Sequence, residues 1–156
     1  MLSRADGQGS QASLALDLPL SHGRQGASAR VTWYHRPQRA PGAQRIALVA
    51  LHGWLDRAAV LRLERAFDDL ALRGVDLVLL DCQRLRHIDY RLAGDLVDRL
   101  AQFENRAGGV VVCGLSRHLR DLFRLSGCES RLRCWPSAAE LIDAPGEREP
   151  VRECAP

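Results

Sequence analysis

The sequence predicts a single α/β domain, built on a mostly parallel central sheet of four to five strands flanked by about four helices. Short, continuous apolar runs, typical of strands covered on both faces, alternate with longer segments whose apolar residues recur every three or four positions. Helices that cross over between successive buried strands require parallel pairing. A chain of 156 residues is long enough to bury its own core.

The first strands come from the N-terminal third of the chain. Residues 30–35 alternate apolar with polar or small side chains, and residues 36–44 interrupt them with two prolines and a glycine. The continuous apolar run at 45–51 predicts a buried strand. Residues 1–28 are rich in Gly, Ser, Ala and Gln, and we expect a flexible extension there, with an edge strand at 13–18 as the alternative.

Three main helices are predicted, each preceded in the chain by a residue whose side chain can cap the first turn. The capping residues are Asp56, Asp89 and Ser116. Apolar strands precede the second and third helices, at residues 75–80 and 109–113, and residues 82–88 are expected to be a connection. Since the carboxyl ends of parallel strands share one edge of a sheet, the three caps should lie together at the usual face for ligands or partners.

The last elements are shorter. Residues 132–135 predict a weak strand, and Ser137 with Glu140 forms a capping-box pattern that starts a short helix ending near Asp143. The predicted organisation is therefore a flexible extension at 1–28, a folded domain at 29–143 and a disordered tail at 144–156.

Composition excludes several classes of function. The 22 basic residues, all arginine, are nearly balanced by 19 acidic ones along the whole chain, which argues against a dedicated nucleic-acid binder. No apolar run approaches the ~20 residues of a membrane span. Five cysteines without a C-x-x-C pair favour a reducing, cytoplasmic setting, and we expect neither a metal site nor a cofactor.

A remote alternative is an enzyme. Residues 51–56, LHGWLD, resemble the oxyanion loop of α/β-hydrolases, and the Ser116 region resembles a nucleophile elbow. The elbow requires glycine where this chain has His118, and no histidine follows His118 to act as the base. We therefore expect Ser116 to be a helix cap and the chain to be non-catalytic.

The stronger resemblance is to the STAS domain family, whose members include bacterial anti-sigma-factor antagonists and the cytoplasmic tails of sulfate transporters. It extends from about residue 30 to residue 143. The segments that carry it are residues 53–56 (GWLD), 76–81 (DLVLLD), 88–96 (IDYRLAGDL), 122–127 (LFRLSG) and 137–140 (SAAE).

The resemblance implies a site at the start of the second helix. There the family carries a D-S-S-G motif, and the serine before the glycine is phosphorylated by a partner kinase that is also the anti-sigma factor. This chain keeps the acid as Asp89 but has Tyr90, Arg91 and Leu92 in place of the two serines and the glycine. Because arginine is not phosphorylated by that chemistry, the serine switch is expected to be absent. Asp95, one turn further on, is a candidate ion-pair partner for Arg91.

The resemblance thus implies a non-catalytic protein-interaction module that binds an anti-sigma, ATPase-type kinase. The alternative is a small cytoplasmic STAS subunit of a lipid-transporting ABC complex, whose partner is a transporter subunit. No nucleic acid and no direct membrane insertion are expected, and homodimerisation stays open. The expected partner-binding residues are Asp89, Tyr90, Arg91, Leu92, Trp54, Asp56 and Leu115.

Overall fold

Six strands and four α-helices make up the part of the chain that the computed structural model describes, residues 11–37 and 43–143. In chain order they are β1 (Gln11–Pro19), β2 (Ser28–Pro37), β3 (Ala43–Leu55), α1 (Arg57–Leu72), β4 (Leu77–Ile88), α2 (Tyr90–Arg106), β5 (Gly109–Cys113), α3 (Arg117–Leu125), β6 (Cys134–Trp135) and α4 (Ala138–Asp143). The strands lie in one sheet in chain order. The first three pair antiparallel, and β3 to β6 pair in parallel. The predicted mostly parallel α/β domain is confirmed.

The sheet has one strand more than the four to five expected, because β1 forms the edge beside β2. Leu16 lies opposite Val31, and Leu18 lies opposite Ala29. Leu18 packs against the main core, and Leu20, just beyond the strand, is fully buried. The prediction of a flexible segment was therefore wrong for residues 11–19, where alternating leucines outweigh the Gly- and Ser-rich composition. The expected tail at 144–156 lies outside the described residues.

Strands β3 and β4 continue further than their apolar runs predict. Their parallel pairing passes through two irregularities, after Ala50 and after Gly53, and continues to Leu55 opposite Ile88. Leu85 and Ile88 are buried, whereas Arg84 and Arg86 face solvent. The prediction of a connection at 82–88 was wrong, since this half-exposed strand lacks the continuous apolar run of the buried part. Because of this extension, the carboxyl edge of β3 and β4 lies beside the N-termini of the helices that follow them.

Helices α1, α2 and α3 cover one face of the sheet. The predicted apolar stripe of α1 is buried, including Leu63 and Phe67, and the Phe67 ring lies 6.0 Å from that of Phe103 on α2. The opposite face carries a smaller core under α4. Cys82 and Cys113 are buried free thiols, and burial raises the pKa of Cys113 to about 12.

The predicted capping-box residue Glu140 accepts a hydrogen bond from Nε1 of Trp135 at 3.1 Å, which links α4 to β6.

Among the helices of residues 11–37 and 43–143, none is long and apolar enough to cross a bilayer.

Candidate functional site

Three helices begin at the carboxyl edge of the parallel strands, and each has the cap that the sequence predicts. An oxygen of Asp56 accepts from the backbone N–H of Ala59 at 2.8 Å at the start of α1. Asp89 accepts from the N–H of Arg91 at 3.0 Å at the start of α2. Ser116 accepts from the N–H of Leu119 at 3.2 Å at the start of α3. These bonds satisfy N–H groups that a helix terminus otherwise leaves unpaired.

Trp54 is held at this edge by the backbone around it. The preceding Gly53 has a φ of +87°, and a Cβ there would collide with the carbonyl oxygen of Gly26. The N–H of Trp54 donates to the carbonyl of Gln25 at 3.2 Å. The β1–β2 connection thus supports the end of β3, where Trp54 is 41% exposed.

Arg91 folds back onto the residue that caps its own helix. Its Nε and Nη2 donate to the two carboxylate oxygens of Asp89 at 3.3 and 3.2 Å. The backbone N–H of Arg91 and then its guanidinium hold the pKa of Asp89 below its usual range, and the same carboxylate raises the pKa of Arg91. The expected pairing with Asp95 is replaced by this one, which offsets the unfavourable position of a cation at a helix N-terminus.

A groove of about 530 Å³ runs between the first turns of α1 and α2. Its apolar lining comes from Trp54, Leu55 and Leu92, and its charged lining from three aspartates and two arginines. The lining residues are Trp54, Leu55, Asp56, Arg57, His87, Asp89, Arg91, Leu92 and Asp95. The arrangement can receive an apolar or amphipathic side chain and offers both signs of charge around it.

The structure brings most of the predicted partner-binding residues together. Trp54, Asp56, Asp89, Arg91 and Leu92 all line the groove. Tyr90 lies between Asp89 and Arg91 in the chain but outside the groove lining, and the residue is 55% exposed.

Leu115 does not join them. It is 8% exposed and lines a separate cavity of about 450 Å³, together with Tyr34, Asp81 and the start of α4. The expectation that Leu115 borders the same surface was wrong in geometry, because the strand end turns this side chain inward while the following residues carry α3 toward the edge.

Sequence reasoning missed a pair of histidines at this edge. Nδ1 of His87, near the end of β4, lies 3.0 Å from Nε2 of His118, in the first turn of α3. The His87 ring also lies 4.8 Å from the Trp54 ring. The two histidines are 31 residues apart, so no local spacing signalled the pair. His118 therefore pairs with His87, and the Ser116 hydroxyl caps its own helix.

Comparisons with known proteins agree with the fold. A family model described as "Mlab, STAS domain" matches residues 40–133, more than half of the chain. The unphosphorylated anti-sigma factor antagonist SpoIIAA is similar in structure, with 22% identity, a TM-score of 0.53, and coverage of 71% of this chain and 93% of that one.

Two other solved structures are similar at lower identity. An anti-sigma factor antagonist from Mycobacterium paratuberculosis has 15% identity and a TM-score of 0.50, and the match covers 70% of this chain and 89% of that one. A murine solute carrier 26 family anion transporter has 12% identity and a TM-score of 0.53. That match covers 83% of this chain but 22% of the transporter.

The motifs at residues 53–56 and 88–96 thus stand at the sheet edge that the order of strands and helices predicts, on a fold shared with these structures. With the family model matching residues 40–133, this chain belongs to the STAS domain family.

Proposed function

We propose that this chain is a non-catalytic, cytoplasmic protein-interaction module that binds an anti-sigma, ATPase-type kinase without a phosphorylation switch. The binding site is the carboxyl-edge surface, which we define as Trp54, His87, Asp89, Tyr90 and Arg91. The similarity of the fold to two anti-sigma factor antagonists supports the class of partner.

The observation that carries the proposal is the grouping of exposed aromatic and arginine side chains at this edge. Trp54 and Tyr90 are two of the exposed large apolar residues in the described part of the chain, and the Arg91 side chain is 76% exposed. Trp, Tyr and Arg are the residue types that contribute most often to binding hot spots. A groove beside them gives a partner side chain a place to be desolvated.

Arg91 supports binding that does not depend on phosphorylation. It occupies the first turn of α2, where the resemblance places the phosphorylatable serine, and its guanidinium is held by Asp89. A fixed positive charge thus stands where a phosphoserine would introduce a negative one. Because the ion pair already orders the arginine, less conformational entropy is lost when a partner carboxylate or carbonyl contacts it.

The test compares two charge reversals in binding to a purified candidate kinase. Arg91→Glu should raise the dissociation constant about tenfold or more, with little change in melting temperature. The matched control is Arg73→Glu at the opposite end of α1, where an exposed arginine is also paired with a nearby aspartate. Equal effects of the two variants would contradict the proposal.

The same kinase tests the absence of the switch. Incubation with the kinase and ATP should leave the intact mass of the chain unchanged, with a serine-containing antagonist as the positive control. A phosphate added to Tyr90, or anywhere else on the carboxyl-edge surface, would contradict this part of the proposal.

A second candidate function is the STAS subunit of a lipid-transporting ABC complex. It is supported by the same lack of a serine at residue 91. It is also supported by the matching family model, which is described as "Mlab, STAS domain" and not as an anti-sigma factor antagonist. Affinity purification separates the two candidates. Stoichiometric recovery of an ATP-binding cassette protein favours the second, and recovery of an ATPase-type kinase favours the first.

A further inference from the structure

His87 and His118 connect two elements of the carboxyl edge through their rings. The donor–acceptor separation is 3.0 Å, and the ring planes differ by 22°. The ring centroids lie 5.2 Å apart. This separation exceeds the N···N distance by nearly the sum of the two distances from ring centre to nitrogen. The two nitrogens therefore point at each other along the line that joins the rings, which is the geometry of a direct N–H···N hydrogen bond.

Such a bond depends on the number of protons in the pair. A neutral imidazole has one N–H donor and one acceptor nitrogen, and a protonated imidazole has two donors. One ring can donate to the other while at most one of them is charged. When both are protonated, two N–H groups face each other and the bond is lost. Histidine is the side chain whose ordinary charge change falls between about pH 5 and 8.

The pair is in contact with the surface that we propose for binding. The His87 ring packs against the Trp54 ring at 4.8 Å, with an interplanar angle of 52°. His87 and Asp89 also line the same groove. A change in the histidine pair would therefore reach both Trp54 and the Asp89–Arg91 ion pair.

The charged surroundings set the direction of the effect. Around His87 the groove carries the carboxylates of Asp56, Asp89 and Asp95, and the guanidinium groups of Arg57 and Arg91. On α3, Arg117 precedes His118 in the chain. Arg84 and Arg86 are the exposed charges on the end of β4. A second proton on the pair places two cations in contact.

We propose that the His87–His118 pair is a pH-sensitive latch that fixes the first turn of α3 and the Trp54 ring, and that acidification opens it. Double protonation separates the rings, releases the packing of His87 on Trp54 and weakens partner binding. Only the effect on partner binding rests on the proposed function. The latch itself is a property of this chain.

The latch is tested without a partner by NMR titration of the histidine rings and the Trp54 indole N–H. In the wild-type chain we expect the ring signals of His87 and His118 to respond to acidification as a coupled pair, and each response to change when the partner is removed by His87→Gln or His118→Gln. The Trp54 resonance should change over the same pH range as the pair, and His118→Gln should alter that response. His22→Gln, at an exposed histidine of the β1–β2 connection, is the matched control and should change neither.

Midpoints that do not change when the partner histidine is removed, or a Trp54 resonance that ignores the pair, would overturn the latch. Backbone spectra of each variant establish that the fold is retained. Binding to the kinase is then compared at about pH 7.5 and pH 5.5. The wild type should lose at least about fivefold more affinity on acidification than His118→Gln. Equal losses, in a chain whose NMR titration shows the coupling, would mean that the partner binds elsewhere and would contradict the proposed site but not the latch.

Discussion

At the residue scale, the position of Arg91 is explained by the residue that caps its helix. A guanidinium in the first turn of a helix is unfavourable because it opposes the helix dipole. Asp89 offsets this by accepting hydrogen bonds from both the backbone and the side chain of Arg91. Asp89 therefore has two tasks, ending the strand-to-helix turn and holding an exposed cation in place.

This double use of Asp89 predicts a dependence of stability on acid. Because the folded-state pKa of Asp89 is lowered, its contribution is present above the ordinary carboxyl pKa and is lost as the pH falls through the lowered value. Asp89→Asn keeps a capping oxygen but cannot titrate. We expect the melting temperature of the wild type to fall more steeply than that of Asp89→Asn between about pH 5 and pH 2.

Thermal unfolding followed by circular dichroism at a series of pH values measures this difference. Asp95→Asn removes one carboxylate from the same helix without touching the cap and should leave the wild-type slope nearly intact. Parallel curves for the wild type and Asp89→Asn would show that the cap does not couple stability to pH.

At the element scale, the helices were predictable from local patterns. Periodic apolar residues and the caps Asp56, Asp89 and Ser116 placed α1, α2 and α3 correctly, because capping and amphipathicity act within a few residues. The half-exposed ends of β3 and β4 were not predictable in this way. They are strands because each provides the other with hydrogen bonds across the sheet. The pattern of charged and apolar residues within one segment does not reveal such pairing.

The same distinction separates the parts of the site. Trp54, Asp89 and Arg91 could be placed at one edge from strand-then-helix order alone. The histidine pair and the inward position of Leu115 could not, because each depends on how α3 packs against the end of β4. The ion pair of Arg91 with Asp89 was missed for a smaller reason, since helix spacing rules favour the residue four positions along over the cap two positions back.

The cap of α1 gives a prediction at this scale. Asp56→Ala leaves the N–H of Ala59 without its partner and should lower the free energy of unfolding by about 0.5–2 kcal/mol. Asp56→Asn, which retains a capping oxygen, should cost clearly less. Denaturant unfolding of the three proteins measures both changes, and an Ala variant as stable as the wild type would show that α1 is held by its packed face alone.

At the scale of the whole molecule, the two ends of the parallel strands have different surroundings. The carboxyl edge carries three helix N-termini, the groove and the histidine pair, whereas α1 ends at the opposite edge with Leu72, which is 82% exposed. Exposed apolar side chains therefore occur at both edges. Our account assigns the binding function to the first edge because aromatic rings, a fixed arginine and a groove occur together there.

Site-specific photo-crosslinking to the purified partner tests that assignment most directly. A photoreactive benzoylphenylalanine replaces Tyr90 in one variant and Leu72 in the other, since both positions are exposed and at opposite edges of the domain. The account predicts that the Tyr90 variant crosslinks the partner efficiently, that excess unlabelled wild-type chain competes the product away, and that the Leu72 variant does not crosslink. Crosslinking from position 72 and none from position 90 would contradict it.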